Sequence, residues 1–243
     1  MTRIGIFGSA GRMGRAIALA LEDWPEASLG GGADKGDDAE ALAACCDVLI
    51  DFSTPDALAG HLEAAVSAGV PLVVGTTGLA TEHQGEIERA AERIAILQSA
   101  NMSLGVNLLA HLVREAAAKL GDDWDVEIVE MHHRHKVDAP SGTALLLGAA
   151  AAQGRGVELD QVSDRGRDGI TGARQAGHIG FAALRGGSVA GDHLAIFAAE
   201  GERIELGHRA ESRAIFARGA VRAALWLRDK PAGLYAMKDV LGI

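Results

Sequence analysis

Cysteine is almost missing from this chain of 243 residues. The two that occur, Cys45 and Cys46, are adjacent and cannot tie distant segments together, so a disulfide-stapled scaffold is excluded and a reducing compartment fits. Long apolar runs are missing too: no stretch of about 18 residues lacks a polar or turn-forming residue, which leaves no membrane span. Positive charge is scarce, with 23 Lys and Arg against 33 Asp and Glu and a net charge of −10. No basic tract stands apart as an arm, so no nucleic-acid partner is expected, because phosphate binding needs clustered positive surface. Met1-Thr2-Arg3 leads straight into an apolar strand pattern, without the charged start, apolar core and cleavage site of a secretory leader. A cytoplasmic protein is expected.

Glycine is what the chain has in excess, at 32 residues, nearly double the usual ~7%. Glycine permits turns and close backbone approach, so its positions direct the reading. The length fits two linked domains, typical domains holding roughly 100–150 residues. In the first half, short β-branched runs alternate with helical patterns, the habit of a parallel α/β sheet with crossover helices. Ile4–Phe7 reads as the first strand, after which Met13, Ile17, Leu21 and Trp24 recur at helical spacing until Pro25. Further strands are expected at 27–34, 47–52, 71–74 and 94–97, with helices over 56–68 and 81–92; the segment 35–46 holds only a minimal unit. The texture changes after Asn101. A long helix marked by Leu104, Leu108, Leu112, Val113 and Leu120 precedes an alternating strand at 126–131, then an Ala-rich helix at 142–152 and a loop-like stretch over 154–177. Strand patterns return at 178–184, 192–199 and 203–208, the last two joined by the hairpin signal Glu200-Gly201-Glu202, and a closing helix spans about 212–228. Residues 104–211 therefore read as a second, α+β domain with a mixed or antiparallel sheet.

Gly8-Ser9-Ala10-Gly11-Arg12-Met13-Gly14 falls between the first strand and the first helix. There glycines let the backbone approach a pyrophosphate, and the helix N-terminus offers N–H donors and partial positive charge. The spacing differs from the common G-x-G-x-x-G, so position carries the argument, and an ordinary tight turn is the plain alternative. Asp34 ends the second strand twenty residues past Gly14 (34 − 14), where a carboxylate binds the adenosine ribose hydroxyls. Lys35 follows and could hold a 2′-phosphate, so NADH and NADPH both stay open, with NAD slightly favoured. Gly75-Thr76-Thr77-Gly78 and Ser99-Ala100-Asn101-Met102 follow two strands at their carboxyl ends, where open α/β sheets bind ligands.

A second constellation leaves the strand at 126–131: Glu130-Met131-His132-His133-Arg134-His135-Lys136, then Asp138-Ala139-Pro140-Ser141-Gly142-Thr143 opening a helix. Imidazole exchanges protons near neutral pH, and neighbouring cations suppress its charged form. The Ser-Gly-Thr backbone at a helix start can receive a carboxylate. Together these residues fit a small anionic substrate that needs proton transfer. Metal binding competes, but contiguous His132 and His133 on an extended chain face opposite ways, and no Cys or H-E-x-x-H pattern accompanies them; no metal is expected. A solvated basic turn before a Ser cap is the bland reading.

The sequence resembles the dihydrodipicolinate reductase family over nearly its whole length. The resemblance rests on G-x-x-G-R-M-G at 8–14, Asp51-Phe52-Ser53 with Pro55, Gly75-Thr76-Thr77-Gly78, Asn101 with Gly105-Val106-Asn107, and above all E-x-H-H-R-H-K-x-D-A-P-S-G-T-A at 130–144. It implies a Rossmann-like, doubly wound domain over 1–103 completed by 212–243, and a mixed-sheet domain that builds a homotetramer. The implied activity moves hydride from NADH or NADPH to a cyclic conjugated imine dicarboxylate in lysine and diaminopimelate synthesis, giving tetrahydrodipicolinate. His132 would then be the general acid and Lys136 a second proton donor or electrostatic aid, with His133, Ser141, Gly142 and Thr143 at the substrate. Gly8, Ser9, Ala10, Gly11, Arg12, Met13, Asp34, Lys35, Gly75, Thr76, Thr77, Ser99, Ala100, Asn101 and Met102 would contact the cofactor. Two departures stand out: the segment 35–46 is shorter than in many members, and Asp34-Lys35 replaces the Glu-Arg of some. Other readings are a dehydrogenase acting on an aspartate-derived semialdehyde, and a dinucleotide sensor without catalysis.

Overall fold

In the computed structural model, which describes residues 1–243, the chain begins with a strand, β1 (Thr2–Phe7), buried at five of six positions. Such a strand needs helices on both faces. The elements that follow are α1 (Arg12–Ala20), β2 (Ala27–Ala33), α2 (Ala39–Ala44), β3 (Val48–Asp51), α3 (Pro55–Ala68), β4 (Leu72–Val74), α4 (Thr81–Ala91) and β5 (Ala95–Gln98). Pro55 opens α3 and Gly69 closes it in the left-handed conformation at φ 67°, the usual asymmetry of helix ends. Between β2 and β3 only the six residues of α2 fit, capped by the Asp38 carboxylate accepting from Ala41 N.

The second unit, Gly105–Arg213, contains nearly all of α5 (Leu104–Leu120). It continues through β6 (Asp125–His132), α6 (Gly142–Arg155), α7 (Leu159–Val162), β7 (Ser163–Asp164), β8 (Ile179–Arg185), β9 (Gly191–Ala199) and β10 (Glu202–Ala210). Its sheet is mixed, in the order β10-β9-β6-β8-β7, with β6 antiparallel to β9 and parallel to β8. Along β6, Val126, Ile128, Glu130 and His132 are buried while the intervening residues are half-exposed. Val126 and Ile128 pack with Leu109, Val113, Leu147, Ala151 and Phe197.

The chain then returns to the first unit, Met1–Leu104 with Ala214–Ile243, through α8 (Ala214–Leu227), β11 (Gly233–Tyr235) and α9 (Met237–Leu241). The first sheet is wholly parallel, in the order β11-β5-β4-β3-β1-β2. Ile17 of α1 and Ala217, Ala220, Val221 and Ala224 of α8 pack on one face with Ile4, Ile6 and Ile50. Leu42, Leu58, Leu62 and Ile87 cover the other with Phe7, Leu49 and Leu72. A Cβ on Gly219 would lie 1.8 Å from the Met102 carbonyl oxygen, so α8 rests directly on backbone there.

Two readings of the sequence are corrected and two short elements are added. The stretch 154–177 is not all loop: α7 and β7 lie within it, because Leu159 and Val162 find apolar cover against the second core. Residues 229–243 carry β11 and α9, elements too short for any periodicity to show. On α5, Leu108 and Leu112 are 41% and 44% exposed, and the buried line is Val106, Leu109, Val113 and Ala117. The helix is apolar on two adjacent faces, and only one meets the sheet. No helix is long and apolar enough to cross a membrane.

Candidate active site

The first unit offers a dinucleotide cradle. Gly8 has φ 77° and its added Cβ would lie 2.5 Å from the Phe52 carbonyl oxygen, while a Cβ on Gly14 would lie 2.3 Å from the Gly8 oxygen. The turn is therefore closed tightly enough to bring α1's first N–H groups to the sheet edge, and Gly11 at the N-cap supplies no side-chain acceptor, leaving those donors for a ligand. Asp34 reaches back to this loop: its Oδ2 accepts from Ser9 Oγ at 2.7 Å and from Ala10 N at 2.9 Å. Gly8, Gly11, Asp34 and Lys35, with Phe52, Ser53, Thr54 and His61 among others, line a cleft of about 580 Å³.

Beneath it sits a buried carboxylate. Asp51 Oδ1 accepts from Thr76 Oγ1 at 2.7 Å and Ser53 Oγ at 2.6 Å, and Oδ2 lies 2.7 Å from His61 Nδ1. Burial pushes its carboxyl up, but the bonds from His61, Ser53 and Thr76 outweigh burial and hold it below the usual range. His61 is itself fixed, stacked on Phe7 with ring centroids 3.9 Å apart. Gly75 lies against the Phe52 ring, where a Cβ would come within 2.3 Å.

Arg12, Lys35, Thr77 and Ala100 are exposed, and Ser9, Met13, Asp34, Ser99 and Asn101 are half-buried. Ser99 Oγ donates to the Asn101 carbonyl at 2.8 Å. Two of the expected cofactor contacts turn their side chains inward. Met102 is 2% exposed and belongs to the first core, because its side chain points into the sheet-and-α8 packing. Thr76 spends its hydroxyl on Asp51, so only its backbone is left for a cofactor.

The second unit holds the histidine cluster. His132, the last residue of β6, is buried, with Nδ1 2.6 Å from Glu130 Oε2. Glu130 is 1% exposed. Arg185 clamps it through two bonds of 2.8 Å, and Ser141 N donates to its Oε1 at 3.1 Å. Burial pushes Glu130 up, and the bonds from Arg185 and His132 pull it below its ordinary value. His193 stands edge-on to His132 at 5.0 Å, and its Nε2 lies 3.2 Å from Ser141 Oγ. Burial first, then the charge of His132, pushes His193 down to about 4.

From His132 the chain turns outward. Lys136 N donates to the His133 carbonyl, and Lys136 Nζ pairs with Asp138 at 2.9 Å. His133 Nε2 lies 3.0 Å from Arg213 Nη2, and its ring is held low by loss of solvent and by that guanidinium. Gly142 is exposed and Thr143 half-buried at the start of α6. Ser141 is 2% exposed: its hydroxyl accepts from Ala144 N and faces His193, and its N–H serves Glu130. It is the cap of α6. No three His, Cys, Asp or Glu side chains converge as a metal site would require.

Two family descriptions match the chain: "Dihydrodipicolinate reductase, N-terminus" over residues 2–102 and "Dihydrodipicolinate reductase, C-terminus" over 105–241. The chain belongs to the dihydrodipicolinate reductase family. Among relatives named 4-hydroxy-tetrahydrodipicolinate reductase, the Zymomonas mobilis protein is 60% identical over 247 residues, covering 99% of this chain and 97% of its own. The Caulobacter vibrioides protein is 51% identical, also at 99% and 97% coverage. A solved dihydrodipicolinate reductase from Paenisporosarcina sp. TG-14, with dipicolinate bound, superposes with TM-score 0.81 at 25% identity and 97% coverage of both chains. A probable dehydrogenase from Thermotoga maritima, at 12% identity and TM-score 0.61, shares the fold.

Within this reductase family frame, the sequence reading missed the partners of the site. Arg185 and His193 come from strands far along the chain, and His61 lies mid-helix. Only the inward alternation of β6, which places Glu130 on the same buried face as His132, was a signal for one of them.

Proposed function

We propose that the protein reduces dihydrodipicolinate, the conjugated imine formed from 4-hydroxy-tetrahydrodipicolinate, to tetrahydrodipicolinate with NADH or NADPH, in the cytoplasmic synthesis of lysine and diaminopimelate. The observation that carries this is a buried histidine, His132, followed within eleven positions (143 − 132) by a cationic turn and a helix start with exposed backbone at Gly142. A ring with two carboxylates needs both features. The dipicolinate bound by the Paenisporosarcina relative is such a ring.

The first unit fits the cofactor: a Cβ at Gly8 or Gly14 would strike the backbone of Phe52 or of Gly8 itself, so only glycine lets the turn close and carry the N–H groups of α1 to a pyrophosphate. Gly8, Ser9, Ala10, Gly11, Arg12 and Met13 would hold that pyrophosphate, Asp34 and Lys35 the adenosine ribose, and Gly75, Thr76, Thr77, Ser99, Ala100 and Asn101 the other half. The reduced nicotinamide supplies a hydride. His132 presents Nε2 as the acid that protonates the ring carbon left electron-rich by hydride arrival, a step worth typically ~10²–10⁴-fold. Lys136 adds a positive charge beside it. Gly142 and Thr143 offer N–H donors of α6 to one carboxylate, and His133, backed by Arg213, faces the same group. Orientation contributes more than proton donation, since effective molarities correspond to ~7–11 kcal/mol.

A homotetramer, as the family resemblance implies, is supported by the half-exposed face of the second sheet. Val129, Met131 and Leu194 are half-exposed there and Leu184 is 51% exposed, an apolar surface that other copies would cover. Light scattering gives the copy number. The activity is tested by loss of reduced-nicotinamide absorbance when purified protein meets substrate generated in situ from pyruvate and aspartate semialdehyde, with NADH and NADPH run separately. Rapid oxidation supports the reading; cofactor binding with no oxidation refutes it.

A further inference from the structure

We infer that Glu130 is a positioning residue for the proton-transfer step: its carboxylate holds Nδ1 of His132, so that Nε2 faces the substrate, and ties the ring to the start of α6. This rests on the reading of His132 as the acid. Glu130 points inward from β6 and is 1% exposed. Its oxygens meet four donor positions: Arg185 Nη1 and Nη2 at 2.8 Å each, Ser141 N at 3.1 Å and His132 Nδ1 at 2.6 Å. A carboxylate so surrounded is ionised and can only accept. The hydrogen between Glu130 and His132 therefore sits on Nδ1, and Nε2 is the atom free to carry the transferable proton. Beyond Nε2 stands Gly191, where even a Cβ would lie only 3.0 Å away, so a glycine keeps that side of the ring clear.

The same carboxylate holds the N–H of Ser141, the cap of α6. Proton donor and carboxylate-binding helix start thus share one anchor, and their spacing does not depend on the exposed turn between them. Arg185 extends the anchor to that turn by donating to the Asp138 carbonyl at 2.6 Å. Removal of either end would let ring and helix move independently.

The charged and titratable groups facing His132 are Glu130 on its own strand, Arg185 on β8, His193 on β9, and Lys136 with Asp138 and His133 on the following turn. Glu130 is the carboxylate in direct contact. A glutamine there can donate as well as accept, so Glu130→Gln no longer dictates the His132 tautomer: kcat should fall about tenfold or more, while NADH affinity, set in the other unit, stays unchanged. A Glu130→Gln enzyme with the wild-type kcat overturns the inference. Should that variant fail to fold, long-range ¹⁵N–¹H NMR of the wild-type protein at alkaline pH decides, with the His132 signals identified by their loss in His132→Gln. The Nδ1–H tautomer is expected, and an Nε2–H tautomer overturns the assignment. Because the tautomer is read without turnover, an inactive wild-type enzyme would sink the proposed function while leaving this inference to its own measurement.

Discussion

Acid should loosen the second unit through one side chain, His193. In the folded protein burial holds its ring down to about 4 from the ordinary 6.5. The unfolded chain therefore takes up a proton near 6.5 and the folded chain only near 4. Stability from keeping His193 neutral is full above about 6.5, is lost as the pH falls, and is gone below about 4. The interval of about 2.5 units, at ~1.36 kcal/mol each, amounts to about 3 kcal/mol, a large share of the ~5–15 kcal/mol that typical domains possess. His193→Gln keeps a polar group toward Ser141 Oγ and cannot titrate. The assay is urea unfolding from neutral pH down to about pH 4.5, with Trp24 and Trp226 replaced by Phe so that Trp124, packed against the second core, alone reports. Glu130 and Asp51, both held low, titrate in either protein and cancel in the comparison. Wild type minus His193→Gln should shrink by about 2.5 kcal/mol across this range, which stops short of the full interval. A difference that stays flat with pH would refute the argument.

Other expectations concern the reaction. His132→Gln should lower kcat by ~10²–10⁴ with the cofactor Kd unchanged, and unchanged turnover would remove His132 from the mechanism. Gly14→Ala would place a methyl 2.3 Å from the Gly8 oxygen, so calorimetry should find NADH binding lost while far-UV circular dichroism is retained. Asp34→Ala removes both a ribose acceptor and the bonds to Ser9 and Ala10; at ~1.5–3 kcal/mol per charged bond the NADH KM should rise about 10–100-fold, and NADPH should suffer less. Equal effects on both cofactors would mean that Asp34 serves only the loop.

What could be read from the sequence were features repeated at short range. β1 and the glycine turn are contiguous, so position and spacing disclosed them together. The strands ending at Val74 and Gln98 were bounded by small residues and by helices of ordinary period. The short segment 35–46 held α2 and no extra strand, as its length required. Contacts made by distant residues were not legible. Arg185 meets Glu130 across a parallel pairing of β6 and β8, and nothing at either position announces the other. Ser141 stands in a motif that invites a ligand, yet its hydroxyl caps α6 and its N–H serves Glu130, a fact that only the three-dimensional arrangement of β6 and α6 supplies. Met102 follows a small-residue loop, but the register of α8 against it decides that it is core.

The return of the chain to its first sheet has a consequence for synthesis on the ribosome. Strand β5 is made early, yet its neighbour β11 and the α8 residues that cover Ile4 and Ile50 emerge only after residues 105–213. Until then an apolar sheet face and an unpaired edge are open to other chains, a known hazard for nascent proteins. The inserted unit has all its strands and its core within one continuous stretch and can fold first. The half begun earlier is thus the half finished last, and chaperones that shield sheet edges should bind nascent chains that stop before residue 214 more strongly than chains extended through residue 235.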